Sequence, residues 1–251
     1  MPDLLDAGLP APAWGGFTMR TGGVSKPPWD ALDLASHVGD SRADVLVNRR
    51  LLADALGGRQ LAYAEQVHGA GVAVLDRPPG VAGVGAPGVD ALVTASPGLG
   101  LVVLTADCLP VLLADPRAGV VAAVHAGRAG LTAGVLQAAL AAMAGLGATP
   151  AGISAVLGPS VCGRCYELPA ELADEVGRLV PGSRDTTRRG TPSVDLAAGA
   201  EALLRAAGVS DVSRVGGCTL EQPERFYSFR RDGRTGRHAG VVRLGSSGAG
   251  S

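Results

Sequence analysis

Lysine is almost missing from this chain: of 22 basic residues only Lys26 is one, and the rest are arginines. That bias, with abundant Ala and Gly, fits a GC-rich genome and carries no functional message by itself. Aromatic residues are also scarce, at 3%, so the core must be built from Ala, Val and Leu. No basic stripe with interleaved aromatics exists, which argues against nucleic acid as a partner. Charge of one sign is lacking as well: 22 basic residues meet 23 acidic ones, for a net charge of −1. A phosphate-bearing small molecule needs only a local cluster of arginines and stays open.

Long hydrophobic runs are missing too. The longest, Leu99 to Ala114, is broken by Asp107 and Pro110 and is too short and polar to span a bilayer. The first residues, MPDLLDAGLPAPAWGG, carry acids and prolines where a secretory signal needs positive charge and then an apolar run. Four cysteines in 251 residues do not make a disulfide framework. The expectation is a cytoplasmic protein, with no membrane partner, whose thiols are ligands, nucleophiles or core fillers.

What is present is 47% hydrophobic residues punctuated by 38 glycines and 17 prolines, the pattern of a folded chain with many turns. Gly15 to Arg20 reads as a strand, Asp44 to Leu56 as a helix closed by Gly57-Gly58, and Leu61 to Val67 with Val72 to Leu75 as paired strands around HGAG. Asp90 to Thr94 is a short strand. Leu99 to Thr105, Val111 to Ala114 and Val120 to Val124 are nearly continuous apolar runs, which predicts burial on both faces. Helices are predicted over Leu131 to Leu146, Leu168 to Val180 and Val194 to Ala207. Ile153 to Leu157, Val212 to Val215 and Val241 to Leu244 read as strands. Strands and helices mix without regular alternation, so the fold class is α+β. One domain is expected over residues 1–244, with a flexible Gly/Ser tail at 245–251.

Three polar residues end predicted strands: His68 in EQVHG, Cys108 in TADCLP and His125 in AVHAG. Two imidazoles and a thiolate are a zinc donor set, and three protein ligands leave a position open, the catalytic rather than structural pattern. The same trio works without metal if Cys108 is a nucleophile and a histidine its base. The bland alternative is a core cysteine with two satisfied histidines. Asp107 either orients a histidine or caps a turn, and the cap is the simpler reading. Cys162 and Cys165 form CGRC, half a zinc site or a redox dithiol; but a zinc knuckle needs a second pair and Cys218 stands alone, and GPSV is not a thioredoxin-like context, so a local loop feature is the simpler reading. Arg20 before the Gly-rich TGGVS, and the group Arg230, Arg231, Arg234 and Arg237 in FYSFRRDGRTGR, are candidate anion sites.

Taken in order, MRTGGVS, HVGD followed by NR, EQVHG, DALVT, ADCLPVLLADP, VAAVHAG, GPSV, CYEL, CT and FYSFRRDGRTGR resemble the YfiH-type laccase-domain family, whose members are also called polyphenol oxidases, purine nucleoside phosphorylases or peptidoglycan editing factors. The resemblance runs from about Phe17 to Leu244. It implies a layered α/β/β/α sandwich of mixed sheets with outer helices. It implies a metal or catalytic triad at His68, Cys108 and His125, with zinc, or copper at the same site, as the cofactor. It implies phosphorolysis of purine nucleosides, with adenosine deamination and methylthioadenosine cleavage as related activities.

Nucleoside and phosphate are then the expected partners, for a monomer or homodimer. Arg20 and Ser25, with Arg230, are the expected phosphate ligands. Two positions depart from the family's common form: HAGWRG is HAGRAG, with Arg128 and Ala129, and FYSHR is FYSFR, with Phe229. A full multicopper cluster is excluded by the histidine count, since only His37, His68, His125 and His238 exist and no HxH pair occurs. Two rivals remain: a cysteine hydrolase acting on amide or muramyl-peptide carbonyls, and a non-enzymatic partner in cell-wall machinery.

Overall fold

The computed structural model describes residues 1–79 and 85–245. The chain opens with β1 (Leu4–Asp6) and β2 (Ala13–Thr18), then helix α1 (Arg42–Ala55). Next come β3 (Gln60–Glu65), β4 (Val72–Val74), β5 (Ala86–Pro87) and β6 (Ala91–Thr94). The three long apolar runs become β7 (Leu99–Thr105), β8 (Leu109–Asp115) and β9 (Val120–Ala126), every residue of them buried. Helices α2 (Arg128–Thr132) and α3 (Val135–Gly145) precede β10 (Ser154–Leu157) and α4 (Ala170–Leu179). A small hairpin of β11 (Arg184–Thr186) and β12 (Pro192–Val194) leads to α5 (Leu196–Ala206). The chain closes with β13 (Asp211–Arg214), the short α6 (Phe229–Asp232) and β14 (His238–Leu244).

Two mixed six-stranded sheets carry the architecture, in the orders β1-β2-β14-β7-β3-β5 and β13-β10-β8-β9-β6-β4. Side chains alternate across each strand, so every central strand serves two cores. Leu101 and Val103 of β7 meet Leu112 and Ala114 of β8 and Val121 and Ala123 of β9 between the sheets. Val102 and Leu104 point the other way, onto Leu52 of α1 and the loop residues Leu32 and Leu34. Val111, Leu113, Ala122 and Val124 face α3, α4 and α5 through Leu136, Met143, Val176 and Leu204. The result is the layered α/β/β/α sandwich, and it explains why β7 to β9 show no polar alternation.

Local chemistry sets the ends of the helices. Ser41 caps α1 by accepting from the Asp44 N–H, and Gly57 and Gly58 at positive φ end it. The predicted helix Leu131 to Leu146 is two helices, because Gly134 at φ 86° breaks the ladder between them. Val194 belongs to β12 rather than to the helix, which starts after Asp195 accepts from the Ala198 N–H at 2.8 Å. The predicted pairing of the strands around HGAG is also corrected: β3 lies in one sheet and β4 in the other, where it pairs with β6. The chain crosses between sheets at His68, and its amides there go to Asp90 instead of to a hairpin ladder. The tail at 246–251 lies outside the described residues. Among the described residues no helix is long and apolar enough to cross a membrane.

Candidate active site

The trio gathers where the two sheets part. β7 ends at Thr105 in the first sheet and β8 starts at Leu109 in the second, so Ala106, Asp107 and Cys108 make the step between sheets. The step is tight enough to hold Asp107 at φ 87°, a backbone region a non-glycine residue rarely occupies. His68, also left-handed at φ 60°, follows β3, and His125 is the next-to-last residue of β9. One donor atom from each of His68, Cys108 and His125 lies within 4.8 Å of the others. The two imidazoles meet edge to face, with ring centroids 4.8 Å apart. Gly127 leaves the room for this: a Cβ there would stand 3.0 Å from the Cys108 Sγ and 3.2 Å from the His68 ring.

Asp90 holds the arrangement. It is fully buried, and Oδ1 meets His125 Nδ1 at 2.7 Å while accepting the His68 N–H at 2.9 Å. Oδ2 accepts the N–H groups of Gly69 at 2.7 Å and Val67 at 3.2 Å. One carboxylate therefore fixes both a ring and the strained loop that delivers the second ring. Gln66 adds a further anchor by exchanging two 2.7 Å bonds with the backbone of Leu104. Burial pushes the Asp90 carboxyl up, but His125 and the backbone donors outweigh it and its pKa is lowered. Burial likewise raises the Cys108 thiol, yet the charges and hydrogen bonds of His125 and His68 bring it to about 6. His125 responds in the opposite sense: burial lowers it, and Cys108 and Asp90 raise it to about 9. Without metal, these opposite shifts favour a thiolate–imidazolium pair of Cys108 and His125 near neutral pH.

The trio opens into a cavity of about 610 Å³, lined also by His37, Tyr166, Phe229, Arg230 and Arg237. Arg230 packs its guanidinium over the Tyr166 ring at 4.8 Å and donates to the Glu167 carbonyl. Asp107 fixes this side of the cavity: Oδ2 accepts the Arg230 N–H at 2.7 Å and Oδ1 accepts from the Thr219 hydroxyl at 2.6 Å. It bonds to no histidine and does not cap its own turn; it ties the step between sheets to the distant segments of Thr219 and Arg230. Arg231 and Arg234 face elsewhere: Arg231 gathers the carbonyls of Thr219 and Phe226, and Arg234 covers Trp29.

Arg20 and Ser25 are not brought to this cavity. Arg20 lines a separate depression, where its guanidinium is spent on Asp30 and the Pro223 carbonyl. Ser25 is buried and donates to Asp40 at 2.6 Å. Sequence reasoning missed Asp90, although DALVT was visible; a buried acid opening an apolar strand was the available signal. Cys218 does not stand alone either, because the structure places it against Cys162 and Cys165.

A layered α/β/β/α sandwich with a His–Cys–His centre at the parting of its sheets defines a laccase-like class of protein. The chain belongs to the multi-copper polyphenol oxidoreductase laccase family, whose model matches residues 15–245. It is 53% identical over 231 residues to a purine nucleoside phosphorylase of Streptomyces coelicolor, covering 91% of this chain and 94% of that one. A purine nucleoside phosphorylase of Mycobacterium tuberculosis is 52% identical, covering 90% and 89%. Among solved structures, YlmD from Geobacillus stearothermophilus superposes with a TM-score of 0.89 at 33% identity, covering 97% and 96%. YfiH of Bacillus licheniformis gives 0.85 at 30%, covering 92% of each chain. His68, Cys108 and His125 together could hold a single metal ion, and too few histidines are present for a copper cluster. The fourth histidine, His238, is buried against Phe226 and Tyr227, outside the cavity lining, and burial depresses its pKa to about 3.

Proposed function

We infer that this chain is a purine nucleoside phosphorylase working in the cavity of His68, Cys108 and His125. The observation that carries the reading is the joining of that trio to two arginines and two aromatic side chains in one cavity. Phosphorolysis attaches a phosphate oxygen to C1′ of the ribose as the bond from C1′ to the purine breaks, and the purine takes up a proton. The sugar passes through an oxocarbenium-like state, as in glycoside chemistry. Phosphate therefore has to be held beside the sugar, and Arg230 with Arg237 supplies the positive charge. Arg230 is fixed by its contacts with Tyr166, Glu167 and Asp107 before any ligand arrives, which reduces the ordering cost on binding. Tyr166 and Phe229 offer flat faces to the purine. His37 is held neutral, as burial and the charges of Arg237 and Arg49 lower its pKa, so it offers hydrogen bonds without repelling a cationic sugar.

The trio also fits a zinc ion: a thiolate and two imidazoles converge, and Asp90 orients His125 as outer carboxylates do at metal-bound histidines. Zinc held by His68, Cys108 and His125 would supply a Lewis acid that makes water nucleophilic, the chemistry adenosine deamination needs. Methylthioadenosine fits the same reading as a further nucleoside substrate. The test is chromatography of free base and inosine after incubation with adenosine, with and without phosphate, using wild type and Cys108→Ala. Phosphate-dependent base release by wild type alone is expected. A fully active Cys108→Ala would overturn the site assignment.

One observation favours a second reading. Cys108, His125 and Asp90 line up as nucleophile, base and orienting acid, the order a cysteine hydrolase uses. That enzyme would keep its activity in a chelator and leave an acyl group on Cys108. A phosphorylase leaves none.

A further inference from the structure

We propose that Cys162, Cys165, Cys218 and Glu221 form a second, structural zinc site that ties together two loops of the cavity wall. It does not depend on the function proposed for the first trio. One donor atom from each of the four residues lies within 4.8 Å of all the others. A zinc tetrahedron with metal–sulfur bonds of about 2.3 Å has edges of about 3.8 Å, so closure needs movements of about 1 Å or less.

The sequence holds two equal spacings, Cys162-x-x-Cys165 and Cys218-x-x-Glu221, and the fold brings them face to face. β10 and β13 are parallel neighbours, so their following loops leave the same end of the sheet. The loops stay side by side through the Val215 N–H to Leu157 bond and the bridge between Ser160 and Cys218. Each then makes the same turn. The Cys162 carbonyl accepts the N–H groups of Cys165 and Tyr166, both at 2.9 Å. The Cys218 carbonyl accepts those of Glu221 and Gln222, both at 3.2 Å. Paired turns with this repeated spacing form the knuckles that present ligands to structural zinc. The Cys162 N–H also points at the Cys218 sulfur at 3.4 Å, and the Cys165 thiol donates to Glu221 Oε1 at 3.3 Å.

The surroundings suit the charge. Three thiolates and a carboxylate around a divalent ion leave two net negative charges. Arg188 pairs with Glu221, and Arg164, Arg189 and Arg230 line the adjoining hollow with it. A thiolate-rich tetrahedral set selects zinc over magnesium or calcium. Each thiol that ligates releases its proton to solvent. The consequence reaches the reaction cavity, because one loop carries Val161, Tyr166 and Glu167 and the other carries Thr219, the partner of Asp107.

The test uses the full chain carrying Cys108→Ala, which removes the first centre's thiolate. The protein is reduced, loaded with Zn²⁺ and desalted, and metal is counted by native mass spectrometry. About one tightly held zinc per chain is expected, lost in Cys108→Ala/Cys162→Ser and weakened at least about tenfold in Cys108→Ala/Glu221→Gln, which keeps all three thiols. Co²⁺ loading gives a second readout: a thiolate charge-transfer band present in Cys108→Ala and absent when Cys218→Ser is added. Zinc-free Cys108→Ala, or zinc that survives Cys162→Ser, overturns the proposal. So does a non-reduced protein lighter by two hydrogens with Cys162 and Cys218 joined. Zinc held by Cys108→Ala but unchanged in amount from wild type would leave this site standing and remove metal from the first one.

Discussion

Replacing Asp90 with Asn tests the whole construction of the site, because the change removes a charge and keeps the shape. Asp90 serves four partners: His125 Nδ1 and the His68 N–H on Oδ1, and the N–H groups of Gly69 and Val67 on Oδ2. An asparagine retains one acceptor oxygen. Whichever way its amide turns, an NH₂ group faces two former donors. Two hydrogen bonds to a charged acceptor are lost, at about 1.5–3 kcal/mol each, in a fully buried place. The sum, about 4 kcal/mol, agrees with the cost of breaking a buried ion pair. For a chain of this length that lowers Tm by about 10 °C.

Function suffers separately. His125 loses the partner that orients it, and under the proposed zinc binding the trio's affinity for added Zn²⁺ should drop about 10- to 100-fold. Scanning calorimetry and chelator competition measure the two effects independently. Peptide-resolved alkylation of the metal-free protein adds a third reading. The imidazolium that offsets burial at Cys108 loses its counter-ion, so the thiol's midpoint rises from about 6. A variant with wild-type Tm, zinc affinity and alkylation midpoint would refute the role assigned to Asp90.

Two further outcomes follow from named contacts. Gly127→Ala sets a methyl 3.0 Å from Cys108 Sγ and 3.2 Å from the His68 ring; phosphorolysis should fall at least about tenfold while Tm drops by about 3–8 °C, the overpacking cost being about 1–3 kcal/mol. Asp33 gives the pH test. Burial raises its pKa from 3.8 to about 7 against backbone bonds from Ala35 and Arg237. Between those values the folded state holds a proton that the unfolded chain has released, so stability is greatest at the acid end and falls as pH rises through 7. The full effect is about 4 kcal/mol. Asp33→Asn should flatten that slope and be more stable than wild type at pH 8 in urea titrations; a slope left unchanged would contradict it.

The double burial of β7, β8 and β9 was legible because they are apolar at every position or nearly so, whereas the layered sandwich was implied only by the family resemblance. The trio was noticed because His68, Cys108 and His125 are polar residues at the ends of predicted strands, each close to a Gly or Pro turn. Other features were hidden by their distance in sequence. Asp90 lies 22 residues from His68 and 35 from His125, and its one local mark, an acid opening an apolar strand, does not say which residues it holds. Cys218 looked solitary because its partners are 56 residues away. Arg20 misled in the opposite way: a cation before a Gly-rich loop matches a phosphate cradle in sequence, but Asp30 and Pro223 already occupy its donors. The HGAG segment looked like a hairpin because a strand's sequence does not reveal which sheet receives it.

Phe229 is the departure from the family's usual FYSHR whose effect the structure makes measurable. It is 58% exposed at the cavity lining, with the Arg237 guanidinium 5.7 Å from its ring centre. A hydrophobic ring that exposed gains little from folding, so its contribution lies in the bound state. Stacking of a purine on such a face is worth about 0.5–1.5 kcal/mol beyond area burial. Phe229→Ala should therefore raise KM for the nucleoside about 2- to 10-fold and leave KM for phosphate unchanged. Arg230→Ala should do the reverse, because in the proposed orientation the arginine meets the anion and the ring meets the base. Phe229→His restores an aromatic face and should recover part of the loss. Steady-state kinetics with each substrate varied in turn separates the two effects. If Phe229→Ala changed the phosphate KM alone, the ring would belong to the anion's side of the cavity and the proposed orientation of the nucleoside would have to be reversed.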